Sequence, residues 1–259
     1  MSGGVACPES MRQCVCDETP APDGCAVIAA GVIGERFGNA RGKQFVELCG
    51  LPVASWSVLA FDRAPSVGHI VLVCPVGRVD EIRRDVLGCL ALSTPVSFAL
   101  AGETRQGSVM NGLAAVPDGF ELVAIHDGAR PLIQVESIEE CLSALRGDTS
   151  LDGAICAARC VDTLKLVEDG DIVATPDRSF YWMAQTPQCF RASVIVSAHR
   201  AALRDDYVGT DDASLVERLG GRVRCIESPR DNIKVTLPED LFLAEASMRQ
   251  RLGTECCGL

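Results

Sequence analysis

Two cations, Arg36 and Lys43, lie seven residues apart in a glycine-spaced stretch that follows the apolar run Cys25-Ala26-Val27-Ile28-Ala29-Ala30. A strand that ends in small residues lets backbone N–H groups approach a phosphate. Two cations beside it suit a triphosphate under attack, one for the outer phosphates and one for charge building at the α-phosphate. The stretch from Gly31 to Gly38 fits neither G-x-x-x-x-G-K-[ST] nor G-x-G-x-x-G, so it is neither a P-loop nor a dinucleotide fingerprint. An ordinary βα turn would share these features.

A second cluster, His126-Asp127-Gly128-Ala129-Arg130-Pro131, follows another apolar run, at the edge where parallel sheets bind ligands. Asp127 can hold Mg²⁺ together with substrate phosphates, and Arg130 can clamp an anion. A plain Asp–Arg ion pair closing the turn is the competing reading. His126 reads as a hydrogen-bonding support. Further along come Asp162-Thr163, Asp177-Arg178, Gln185-Thr186-Pro187-Gln188 and Asn232-Ile233-Lys234-Val235-Thr236. Arg178 and Lys234 are each compatible with a solvated charge. Lys234, flanked by Ile233 and Val235 in an expected short strand, points to whichever face is not core.

The elements that must position these residues alternate. Strands are expected at 25–30, 69–74, 96–100, 122–126 and 223–226. Helices are expected at 52–60, 79–89, 107–115, 135–145, 190–203, 211–219 (with Thr210 as N-cap) and 238–251. Strands apolar throughout, separated by amphipathic helices, imply an α/β fold with a mostly parallel, Rossmann-like sheet covered on both faces. The alternation breaks at about 160–181. There Thr163–Val167 and Ile172–Thr175 flank the polar turn Glu168-Asp169-Gly170 and form an inserted β-hairpin, a candidate dimerisation arm. We read residues 1–23 as a disordered leader, 24–253 as one domain and 254–259 as a tail.

With 259 residues, 47% of them hydrophobic, the chain can bury a full core. Its net charge of −11 argues against a nucleic-acid polymer as partner. No apolar run reaches the roughly 18–20 residues of a membrane span, and no secretory signal opens the chain, which gives a cytoplasmic reading. The fourteen cysteines include no C-x-x-C pair. Cys25, Cys74, Cys156 and Cys225 fall in strand-like runs where a thiol behaves as a small hydrophobe, and all are expected to stay free.

Taken in order, Ala-Ala-Gly…Arg…Lys-Gln-Phe (Ala29 to Phe45), Arg-x-x-Ser-Val (Arg105 to Val109), His-Asp-Gly-Ala-Arg-Pro, Asp-Thr, Asp-Arg, Gln-Thr-Pro-Gln and Asn-Ile-Lys-Val-Thr resemble the 2-C-methyl-D-erythritol 4-phosphate cytidylyltransferase family over about residues 25–250. The resemblance implies CMP transfer from CTP to methylerythritol 4-phosphate with release of pyrophosphate, Mg²⁺ as cofactor and a homodimer. By position, Arg36, Lys43 and Lys234 would be catalytic. Ala29, Ala30, Gly31, Gly102 and Ser108 would bind the nucleotide. Arg130, Thr163, Arg178 and Thr186 would bind the alcohol phosphate, and Asp127 would hold the metal. Thr163 and Arg178 would serve the neighbouring subunit through the arm. No strong base is required, because the attacking phosphate is already an anion.

The chain departs from the family pattern by one extra residue between Gly31 and Arg36, by Ile28 where proline is common, and by Gly42 for a proline before Lys43. A cytidylyltransferase for another alditol phosphate, such as ribitol 5-phosphate, is the nearest alternative. An inactive nucleotide-binding module is a more distant one.

Overall fold

The computed structural model describes residues 21–31 and 42–256, with the backbone alone for residues 43 and 254–256. Most of the expected leader, the loop at 32–41 with Arg36 and the extra residue, the Lys43 side chain and the end of the tail therefore lie outside the described residues.

A seven-stranded sheet runs in the order β11-β7-β10-β6-β1-β4-β5. Its strands are β1 (Gly24–Ala29), β4 (Val67–Cys74), β5 (Val96–Leu100), β6 (Leu122–Asp127), β7 (Gly153–Arg159), β10 (Trp182–Arg191) and β11 (Val223–Glu227). The strands other than β10 are parallel, and β10 runs antiparallel to β6 and β7. The alternation of side chains along β1 explains the two-faced burial. Ala26 and Ile28 pack on one side with Phe61 of α1 (Val53–Asp62) and Leu142 of α4 (Val135–Gly147). Cys25 and Val27 pack on the other side with Val109 of α3 (Arg105–Ala114) and Ile195 of α5 (Ala192–Arg204). The second face also takes Leu215 and Val216 of α6 (Asp212–Arg218). Each fully buried Val, Leu, Ile or Phe side chain among them contributes about 1.5–3 kcal/mol relative to exposure.

A short ribbon, β2 (Glu47–Leu48) with β3 (Leu51–Pro52), precedes α1. The C-terminal helix α7 (Pro238–Cys256) packs Ala244 and Met248 against Leu48, Val53 and Leu132. Between β4 and β5, α2 (Val79–Ile82) continues as a π-helical turn, Arg83–Leu87. No helix among the described residues is long and apolar enough to cross a membrane.

The inserted hairpin is present as β8 (Leu166–Glu168) paired with β9 (Asp171–Ala174). Its turn residues Asp169 and Gly170 both have positive φ, as a tight hairpin turn requires. The arm leaves Val167, Ile172 and Val173 at least half exposed and Phe180 82% exposed, an apolar surface that none of the described residues covers.

Four local expectations are corrected. Phe190 belongs to β10, and the helix expected from that residue starts at Ala192. The N-cap of α6 is Asp211, not Thr210: its carboxylate accepts from Ser214 N, and the Ser214 hydroxyl closes the reciprocal bond. Lys234 lies outside any strand. Cys225 is exposed, because β11 is an edge strand, whereas Cys25, Cys74 and Cys156 are buried as small hydrophobes.

Candidate active site

β6 is the centre of the site, and its last residue is Asp127. The parallel register sets Asp127 opposite Ala29, so the carboxylate stands level with the C-terminal end of β1. Gly128 then donates its N–H to Ala29 O at 3.0 Å, and Arg130 N closes a turn on Asp127 O at 2.9 Å. A Cβ on Gly128 would sit 3.2 Å from the Ala30 Cβ, tighter than ordinary contact, so glycine lets these two strand ends meet. From α1, the Ser57 hydroxyl reaches the carbonyls of Gly128 and Arg130 at 3.4 and 3.3 Å and supports the same turn.

Both oxygens of Asp127 are engaged. Arg105 Nε donates to Oδ1 at 2.9 Å, and Lys234 Nζ lies 2.8 Å from Oδ2. Arg130 Nε approaches Oδ2 at 3.9 Å, beyond hydrogen-bond distance. Burial alone would raise the Asp127 carboxyl, but Arg105 and Lys234 outweigh it and hold the group well below the usual carboxylate range. Arg105 is itself desolvated, yet Asp212 and Asp127 together raise its pKa further. Three cations thus face two carboxylates, a local positive excess in an acidic chain. Such a surface binds anions.

His126 is the support expected of it. Asp127 N–H donates to Thr186 Oγ1 at 3.0 Å, so the threonine hydroxyl donates onward to His126 Nδ1 at 3.1 Å. The opposite ring nitrogen, Nε2, then carries the proton and donates to Arg130 O at 3.2 Å. Burial lowers the imidazole pKa to about 3, so it stays neutral at ordinary pH. Thr186, assigned from sequence to substrate binding, is buried here and spends its hydroxyl on this chain.

The late motifs converge on the same place. Asn232 Nδ2 donates to Gln185 Oε1 and to Thr186 O, both at 3.0 Å, and Ser228 Oγ donates to Gln185 Oε1 at 2.6 Å. Arg130 Nη1 donates to Asn232 O at 2.8 Å, and Val235 N donates to Ala129 O at 2.8 Å. With Val235 buried and fixed, the intervening Lys234 is turned to Asp127. The segment therefore presents Lys234 as a strand was expected to do.

On the other side of β1, the loop ends adjoin each other closely. A Cβ at Gly31 would fall 2.3 Å from the Ala101 Cβ, a distance no real side chain tolerates. Gly102 N donates to Ser108 Oγ at 3.1 Å, and that hydroxyl donates in turn to Thr104 O at 2.8 Å. Ser108 is 1% exposed, so it shapes the loop from below and presents the Gly102 backbone. Lys43 opens the 3-10 turn Lys43–Phe45 just after Gly42. Gly42 has φ +96°, which a proline cannot adopt.

Thr163 and Arg178 stand apart from this cluster. Both are exposed on the arm, where Arg178 donates to Val161 O. Neither is bonded to Asp127 within this chain among the described residues. Sequence reasoning missed Asp212, His199 and the structural part played by Arg105 and Gln188. Arg105 Nη1 bonds Asp212 Oδ2 at 2.9 Å, and His199 Nε2 lies 3.1 Å from Asp212 Oδ1.

Comparison with known proteins gives one consistent result. The family model described as 2-C-methyl-D-erythritol 4-phosphate cytidylyltransferase matches residues 25–250. A protein of that name from Syntrophotalea carbinolica is 44% identical over 222 residues, 85% of this chain and 94% of its own length. Another from Geobacter metallireducens is 40% identical over 230 residues, 88% of this chain and 98% of its own. Among solved structures, 4-diphosphocytidyl-2C-methyl-D-erythritol synthase from Anaerococcus prevotii superposes with a TM-score of 0.78 at 26% identity, covering 88% of this chain and 97% of that one. The cytidylyltransferase from Thermus thermophilus gives 0.69 at 28% identity, covering 86% and 98%.

Proposed function

The chain belongs to the 2-C-methyl-D-erythritol 4-phosphate cytidylyltransferase family, and we propose that the cation cluster around Asp127 carries out that family's reaction with Mg²⁺ as cofactor. It transfers CMP from CTP to 2-C-methyl-D-erythritol 4-phosphate, a step of isoprenoid biosynthesis. An oxygen of the alcohol phosphate attacks the α-phosphorus of CTP. A new P–O bond forms, the α–β P–O bond breaks, and the electron pair leaves on pyrophosphate. No proton need be removed from the nucleophile, which agrees with His126, the histidine beside Asp127, being held neutral and internally bonded.

The observation that carries this reading is one buried carboxylate at the C-terminal sheet edge, gripped by Arg105 and Lys234 with Arg130 beside it. Two phosphate-bearing substrates bring several negative charges to one point, and fixed cations stabilise the charge that develops at the α-phosphate. Lys234, 38% exposed at its side chain, is free enough to turn from Asp127 toward a phosphate.

The donor set fits Mg²⁺. Among the described residues no group of three or more potential ligands gathers, but Mg²⁺ is commonly held by one or two carboxylates with substrate phosphates completing its shell. Each Asp127 oxygen keeps a second acceptor site beside its cationic partner. Asp127 would hold the ion, which when bound neutralises charge on the triphosphate and on the leaving pyrophosphate. Arg105 and Lys234 keep the carboxylate ionised for that purpose.

The chain works as a homodimer in the cytoplasm in this reading. The exposed apolar residues of the arm support a second copy as their cover, and the exposure of Thr163 and Arg178, neither bonded to Asp127 among the described residues, supports their serving the partner's site. Turnover with methylerythritol 4-phosphate and with ribitol 5-phosphate tests the substrate assignment. Pyrophosphate release is expected with the first. Release confined to ribitol 5-phosphate would overturn it.

A further inference from the structure

Asp127 is held through a chain of buried charges that reaches well behind the site. Arg105 is the first residue of α3 and uses two different edges of its guanidinium. Nε meets Asp127 Oδ1 and Nη1 meets Asp212 Oδ2, both at 2.9 Å. Asp212 is 1% exposed and opens α6. Its other oxygen lies 3.1 Å from His199 Nε2 on α5, itself 1% exposed. The Asp212 backbone is fixed as well: Gln188 Oε1 on β10 accepts from Asp212 N at 3.1 Å and from Ala213 N at 3.0 Å. Gln188 Nε2 then donates to Asp211 Oδ2 at 2.7 Å.

A buried carboxylate costs a great deal unless it is paired, and Asp212 is paired with Arg105 on one oxygen and with His199 on the other. Its partners account for its presence only as an anchor. A lysine at position 105 would be a single point donor, whereas a planar guanidinium bridges two carboxylates at fixed angles. We infer that Arg105, anchored by Asp212 and His199, is a positioning residue for CMP transfer. It fixes the rotation of the Asp127 carboxylate so that Oδ2 stays turned to Lys234 and to the reacting phosphates. Its contribution enters at the transition state, where the placement of Asp127 and Lys234 matters most, and not in nucleotide affinity.

This inference rests on the CMP-transfer reading, and the test separates the two. Wild-type turnover is measured first; its absence would sink that reading, irrespective of the variants. Steady-state constants are then compared for Arg105→Ala, Arg105→Lys, Asp212→Asn and the double variant Arg105→Ala/Asp212→Asn. Arg105→Ala is expected to lose about 100-fold in kcat while KM for CTP moves less than about threefold. Arg105→Lys is expected to fall between Arg105→Ala and wild type. Added methylguanidine should restore about tenfold to Arg105→Ala and nothing to wild type, a readout that a merely structural loss would not show. Asp212→Asn alone should cost about tenfold, and almost nothing further in the Arg105→Ala background.

If Arg105→Ala does not fold, Arg105→Lys with and without Asp212→Asn supplies the same cycle. Additive losses would overturn the proposal. So would a rise in KM for CTP at unchanged kcat, which would make Arg105 a nucleotide ligand.

Discussion

Asp127 is the residue on which the proposed chemistry turns. Its partners were differently legible in the sequence. Arg130 and Lys234 stand in compact motifs whose residue types already imply anion binding, and the structure brings both to Asp127. Arg105 is part of a recognisable motif, but nothing local shows that its guanidinium joins Asp127 to Asp212, 107 residues further on. Removing the ammonium by Lys234→Ala is expected to lower kcat by about 100-fold or more while the circular dichroism spectrum and melting midpoint stay near wild type. A rate within twofold of wild type would make Lys234 a surface charge. His126 yields a pH prediction. Its pKa is lowered from 6.5 to about 3, so between these values the unfolded chain binds the proton that the folded chain refuses. Folding stability is then fullest above pH 6.5 and falls as pH drops toward 3, this histidine alone adding a slope of up to about 1.4 kcal/mol per pH unit. Denaturant unfolding at several pH values, for wild type and His126→Gln, checks it. An unchanged slope in the variant would contradict the assignment.

At the scale of elements, strands with continuous apolar runs were readable because both sheet faces are covered. The strand β10 was not, since Pro187 and three polar neighbours interrupt any apolar run there. The structure accommodates them where the pairing to β7 breaks register between Ala184 and Gln188. The same irregular stretch frees Gln185 and Thr186 to bond Asn232 and His126, so the feature that hid the strand also builds the site. Two glycines make the joints between elements testable. Gly31→Ala would force its Cβ to 2.3 Å from Ala101. Overpacking of this kind costs about 1–3 kcal/mol, and chemical denaturation should show it together with a higher KM for CTP. Gly42→Pro would demand a φ near −65° where the chain has +96° and should destabilise by more than about 1 kcal/mol.

For the molecule as a whole, the proposed reaction site draws one half from the sheet edge and the other from the arm, whose Thr163 and Arg178 are not bonded to Asp127 among the described residues. The arm's exposed Val173 and Phe180 are the points at which the proposed dimer is to be broken. Val173→Glu with Phe180→Ser is expected to give monomers by light scattering at micromolar concentration and to raise KM for the alcohol phosphate more than for CTP. A stable dimer with wild-type constants would place the interface elsewhere. The most direct test of the central claim, that Asp127 and its cations catalyse CMP transfer, is pyrophosphate release from CTP, Mg²⁺ and 2-C-methyl-D-erythritol 4-phosphate by wild type beside Asp127→Asn. Stoichiometric pyrophosphate and the CDP-linked alcohol from wild type, with loss of about 1,000-fold or more in the folded variant, is the expected result. Comparable rates from the two proteins would contradict it.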